Sequence, residues 1–205
     1  MRAYFLRINL LLVCLLSHHL LFAQLKSNTD CNALQIPTLQ DIRYRASIDV
    51  INKHLSGLLI FKMQEDSSVR TVFINEIGVT FFDISFTNTS YTFHSIMESM
   101  DKKSVKRTLA KDIGMILIRG IYSSMKNSSK QQDVIELKLK SKGRVQYHFA
   151  TQCNQYPIIE NFGKRRNVIT ITQKYLEHQS MPDSIFVQHH TVHFTIRLKQ
   201  MHAAE

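Results

Sequence analysis

The chain has 205 residues, 44% of them hydrophobic and 20% charged, with only 6 Gly and 3 Pro. That length supports one large domain or two small ones with a sizeable core, and the composition excludes a disordered or collagen-like chain. Lys and Arg number 26 against 16 Asp and Glu, a formal charge of +10 that turns attention to anionic partners.

Arg2 and Arg7 are the only charges before Lys26, and an apolar run from Ile8 to Phe22 follows, broken by Ser17, His18 and His19. The run closes on Leu21-Phe22-Ala23 before Gln24, which is the order of a secretory signal peptide over residues 1–23. A spanning helix needs about 20 apolar residues, more than this interrupted run supplies. Cys14 raises an outer-membrane lipoprotein as the alternative, but Leu11-Leu12-Val13 precedes it where lipid attachment requires a small residue. The expected location is the periplasm or cell envelope. Loss of Arg2 and Arg7 with the leader leaves a formal charge of +8.

Cys31 and Cys153 then remain. Export permits a disulfide between them, and closing so long a loop would contribute about 4–5 kcal/mol in the chain-entropy model. Two unrelated cysteines is the other reading, and both stay open. Their spacing fits no zinc pattern.

Residues 24–41 are polar with scattered apolar positions, a lead-in or short helix. From Ile42 the pattern alternates: Ile42, Tyr44, Ala46, Ile48 and Val50 against Arg43, Arg45, Ser47 and Asp49, a strand with one wet face. Strand-like runs follow at Leu55–Met63, Val69–Asn75, Val79–Phe86 and Tyr91–Ile96, separated by short polar turns that imply antiparallel neighbours. In the turn Asn75-Glu76-Ile77-Gly78, Ile77 is apolar where polar residues are expected. Either it folds back onto the sheet edge, or it is an apolar tip for a membrane or lipidated partner.

The period then becomes helical. Asp101 is placed to cap, Val105, Leu109, Ile113, Ile116 and Leu117 form one stripe, and Gly120 is the expected stop. Lys102, Lys103, Lys106, Arg107 and Lys111 cover much of the remaining surface. Ser123 to Asp133, rich in Ser, Lys and Gln, reads as a mobile loop. Alternation returns in a hairpin: Ile135, Leu137 and Leu139, a turn at Ser141-Lys142-Gly143, then Val145, Tyr147 and Phe149. Tyr156–Glu160, Val168–Gln173, Ser184–Gln188 and Val192–Lys199 complete the strands.

About ten short strands and one helix, with no internal repeat and no long linker, make an α+β, mainly β chain with a single domain over residues 42–201. An antiparallel sheet of that size curls into a barrel or half-open barrel, and the helix stripe covers its concave face.

Chemistry-bearing motifs are sparse. His189-His190-Thr191-Val192-His193 suggests a metal cluster, but on a strand positions four apart lie about 13 Å from one another, and no carboxylate or cysteine stands nearby in sequence. These read as turn and surface histidines, with no metal. No nucleophile motif, zinc-protease motif or phosphate loop occurs. Asp41, Asp49, Asp83 and Glu160 stand singly on expected solvated faces. No enzyme activity and no cofactor are expected. The basic clusters Lys102–Lys111 and Lys164-Arg165-Arg166 would suit nucleic acid in a cytosolic protein. Export redirects them to an anionic membrane surface or acidic envelope polymer.

The order of elements, an exported chain with several antiparallel strands, an inserted helix and further strands, resembles the bacterial lipoprotein-carrier family of LolA/LolB type. The closing Met181-Pro182-Asp183-Ser184-Ile185-Phe186-Val187 with Val192–Lys199 is similar to that family's final strand pair. Leu55–Lys62 and Phe73–Asp83 also look like exported proteins of Bacteroidetes-type bacteria. The resemblance covers roughly residues 42–201. It implies a half-open barrel with an apolar cavity for acyl chains, and a role for Ile77 as the exposed apolar loop residue. The absent lipobox before Cys14 departs from the anchored members.

The expected function is a non-enzymatic envelope protein that binds a lipid or lipidated protein. Its candidate lining is Ile48, Leu59, Phe61, Phe82, Ile84, Phe86, Leu137, Leu139, Ile169, Ile171, Phe194 and Ile196. The alternatives are an interaction protein with the same sheet and a filled core, and a hydrolase with an unrecognised site.

Overall fold

The computed structural model describes residues 34–37, 41–50, 53–120, 125–131, 133–140, 143–149, 155–177, 179 and 181–202, with the side chains of 125–127 excepted. Residues 1–23, expected to be a leader, and Cys14, Cys31 and Cys153 lie outside them. The first half of the chain forms β1 Ile42–Val50, β2 Lys53–Met63, β3 Val69–Ile74, β4 Thr80–Phe86 and β5 Tyr91–Ile96. A 3-10 turn at Glu98–Met100 leads into one helix, α1, Lys103–Leu117. The second half forms β6 Met125–Gln131, β7 Val134–Leu139, β8 Gly143–His148 and β9 Ile158–Phe162, then β10 Asn167–Lys174, β11 Ser184–His189 and β12 Phe194–Gln200.

The twelve strands among the described residues belong to one antiparallel sheet ordered β5-β4-β3-β2-β1-β12-β11-β10-β9-β8-β7-β6. It is open and curved, with α1 on the concave side, as the strand alternation and helix stripe predict. Every neighbouring pair is consecutive in sequence except β1 with β12. There seven residue pairs run from Tyr44 opposite Gln200 to Val50 opposite Phe194. Two local meanders are thus stitched along one central seam.

Alternation fixes which face each residue takes. Tyr44, Ala46, Ile48 and Val50 of β1 are buried, as are Phe194, Ile196 and Leu198 of β12, while the residues between them face outward. On α1, Val105, Leu109, Ile113, Ile116 and Leu117 are all buried in the same apolar cluster. The backbone of β3 comes close at Gly57, where a Cβ would lie 1.9 Å from the Ile74 carbonyl oxygen. No side chain fits that approach.

Several elements differ from the sequence reading. Residues 125–131 form edge strand β6 rather than a loop, because β7 offers a ladder with Gln131 opposite Val134 and Ser128 opposite Leu137, irregular only between Met125 and Asn127. Backbone pairing outweighs a composition poor in β-formers. Asp101 does not cap α1: Lys102 holds the N-cap position without a side-chain bond, and Asp101 instead pairs with Lys106 at 2.5 Å. The helix stops at Leu117, and Ile118 takes the left-handed conformation that glycine usually supplies, with the Arg119 N–H donating to the Gly114 carbonyl. Val192 precedes β12 and is exposed. In the lead-in, residues 34–37 are not helical. The Gln35 N–H donates to the Tyr156 hydroxyl at 2.8 Å, while Leu34 and Ile36 pack on the core.

Candidate functional site

Antiparallel pairing divides the connections between two rims. On one rim lie the β3–β4 tip, the entry to α1, and the turns β9–β10 and β11–β12. On the other lie β2–β3, β4–β5 and β10–β11. Helix α1 runs from the first rim to the second, where Arg119 donates to the Ser67 carbonyl and Asn88 Oδ1, both at 2.9 Å.

At the first rim, where the seam meets the start of α1, a cavity of about 380 Å³ opens. Val50 and Phe194, the last pair of the seam, form its floor with Val105, and Ser104, Thr108, Val192 and His193 surround them. The cavity exists because α1 begins with polar residues. Its apolar stripe starts only at Val105, so the end of the sheet is left partly uncovered. A depression of about 640 Å³ between β6, β7 and β8 is larger, but Ser129, Gln131, Glu136, Lys138 and Gln146 make it polar. Size alone does not make it a site for an apolar ligand.

Of the twelve side chains expected to line a cavity, eleven are buried and Leu139 is half-buried. All belong to or pack on the cluster that includes the α1 stripe, and Phe194 also lines the rim cavity.

Behind Phe194 stands a polar pair that links helix to sheet. His189 Nε2 lies 2.7 Å from Asp112 Oδ2, with the side chains 6% and 0% exposed. Phe194 packs edge-on against the His189 ring at 4.8 Å. Asp112 Oδ1 has no hydrogen-bond partner among the described residues. Burial pushes the Asp112 carboxyl above the ordinary carboxylate range, and His189 opposes part of that rise. Beside it, Lys111 donates to Asn161 Oδ1 at 2.5 Å, and burial lowers its ammonium. Asn161 in turn donates to the Arg144 carbonyl at 3.1 Å.

These placements revise the sequence reading. His189 is a buried partner of the helix, not a surface histidine, and Lys111 lies against the sheet instead of on a solvated face. A signal was present: Asp112 falls three residues after Leu109 and four before Ile116, on the apolar stripe. Position 189 likewise continues the alternation of Ile185 and Val187. Three of the single carboxylates are also held. Asp83 accepts from Arg70 at 2.6–3.2 Å, and Glu160 meets His148 at 3.0 Å and Asn167 at 2.7 Å. Asp49 joins His54 at 2.6 Å, Arg197 at 2.8 Å and Thr195 at 3.1 Å. Among the described residues no group of three metal-ligating side chains converges.

Ile77 does not fold back. Asn75 Oδ1 accepts from the N–H groups of Ile77 and Val79 at 3.1 and 2.8 Å, and Gly78 takes φ 87°. This turn leaves the Ile77 side chain 85% exposed.

No family model and no curated protein matches the sequence. Among solved structures, the chain is similar to a DUF1329 family protein from Desulfovibrio piger. The match has TM-score 0.50 and 11% identity over 80% of this chain and 85% of that one. It is also similar to a LolA superfamily protein from Nitrosomonas europaea, with TM-score 0.41 and 9% identity over 82% of this chain and 87% of that one. At such identities the likeness is one of fold. The first of these matches supports the mainly β architecture expected from the order of elements.

Proposed function

We propose that this protein is a non-enzymatic binder of an acyl chain or lipidated protein in the cell envelope. The observation that carries the reading is the apolar cavity at the rim, floored by Val50, Val105 and Phe194. Buried apolar area there would drive uptake at about 25 cal/mol per Å². Its volume falls within the range of small-molecule pockets, which is about 300–1,000 Å³. A longer chain would need α1 to yield, exposing the twelve sheet residues beneath it, from Ile48 to Ile196. The LolA/LolB resemblance supports this use of the fold, with residues 1–23 as the leader and 42–201 as the binding domain. Ile77 is then the contact with a membrane or lipidated partner, and Cys31 and Cys153 are candidates for a bridge.

The test is a fluorescent fatty acid titrated into the purified protein and into Thr108→Phe, which fills the cavity without burying charge. Saturable binding that weakens at least tenfold in the variant is expected. Binding unchanged by Thr108→Phe in a folded protein overturns the cavity assignment.

One observation favours a second reading, an interaction protein with a filled core: the whole α1 stripe is buried against the sheet. That reading expects no fatty-acid binding by the native protein and a protein partner recovered by crosslinking.

A further inference from the structure

Exposed cations gather at one rim, whereas the other rim mixes cations such as Lys62 and Lys174 with carboxylates. Among the described residues, the rim holding the cavity bears Lys102 and Lys103 at the start of α1, Lys164, Arg165 and Arg166 in the β9–β10 turn, and Lys53 opening β2. All six are exposed and none has an ion-pair partner among the described residues. Against them stand Glu76, Glu98 and Asp101, the last already paired with Lys106. The connections of the opposite rim instead carry Glu65, Asp66, Asp133 and Glu177, all exposed. No single stretch of sequence shows this division, because the cations come from three separate places, position 53, positions 102–103 and positions 164–166.

Charge is half of the pattern. The cationic rim also presents apolar side chains to water: Val192 at the cavity mouth, 57% exposed, and Ile77 on its own turn. An acidic polymer in solution needs the cations only. A lipid surface with anionic headgroups meets both, the cations at headgroup level and the apolar side chains below it. We infer that this rim docks on an anionic lipid surface, with the cavity mouth facing the bilayer. The docking gives acyl binding a direction of transfer, and the two fail separately.

Vesicles of phosphatidylcholine with and without phosphatidylglycerol, sedimented with the purified protein, test the inference. The variant joins Lys164→Gln, Arg165→Gln and Arg166→Gln, all in an exposed turn. The control joins Lys62→Gln and Lys174→Gln, away from the rim. The native protein is expected to bind the anionic vesicles selectively and to release them as salt rises. Each cation near such a surface is worth about 1 kcal/mol, so the triple variant should bind about a hundredfold more weakly. The control should bind as the native protein does, and both should take up the fluorescent fatty acid unchanged. Equal binding to both vesicle types, or a triple variant that binds normally, overturns the docking whatever the fatty acid does. Polyphosphate bound as tightly as vesicles, with Val192→Ser neutral toward both, would assign the rim to an acidic polymer and also overturn it.

Discussion

Two histidine–carboxylate pairs of nearly equal length stand on opposite sides of the sheet. Asp112 and His189 meet inside, at 2.7 Å, beneath α1; Asp49 and His54 meet outside, at 2.6 Å, with the side chains 43% and 61% exposed. The environments drive the two carboxyls apart. Burial raises Asp112, whereas the hydrogen bonds from His54, Arg197 and Thr195 hold Asp49 down to about 2. Distance therefore says little about what a pair does. The inner pair ties the helix to the sheet where both side chains are buried. The outer cluster decorates the seam from the wet side.

Breaking each pair in turn separates these roles. Asp112→Ala should have the largest effect: it strands a buried imidazole beneath the helix and should cost about 3 kcal/mol or more in a denaturant titration. A loss no greater than that of a surface substitution would mean that water already fills the pair's role.

Asp112→Asn keeps a hydrogen-bonding side chain and removes the charge. Because the folded-state value of Asp112 is raised, its contribution is fully present below the ordinary carboxylate range. It is lost as the pH climbs through the raised value. The difference in stability between Asp112→Asn and the native protein should therefore shift in the variant's favour as the pH rises from the acid side. A difference that stays constant with pH would contradict the burial account.

Asp49→Asn should have the smallest effect. At neutral pH its unfolding midpoint should lie within replicate scatter, since the cluster is solvated and screened. Its depressed carboxyl predicts the opposite sign to Asp112: a small contribution present above 3.8 and lost as the pH falls toward about 2. A large loss at neutral pH would show that the outer cluster holds the seam together.

The same contrast explains what could be read from the sequence. Wet and dry faces of the strands were legible because alternation is local, and so was the α1 stripe. The partnership of Asp112 with His189 was not, since 77 residues separate them and each looks ordinary in its own segment. Strand β6 escaped because its described side chains, residues 128–131, are all exposed, so neither face is buried and it has no apolar alternation to show. The rim cavity escaped for a related reason: it is defined by where the α1 stripe fails to reach, and Val50, Val105 and Phe194 meet only through the fold.

The central seam also bears on how the chain folds. Every ladder but one joins neighbours along the sequence, so ten of the eleven strand pairings close short loops and can form early. The exception joins β1 to β12, with Asp49 opposite Thr195, and must wait until both ends of the domain are present. Until then β1 and β11 each expose an unpaired backbone edge in what becomes the middle of the sheet, where an extended segment of another chain could add. Strand β12 is thus the one that turns two sticky half-sheets into a single sheet.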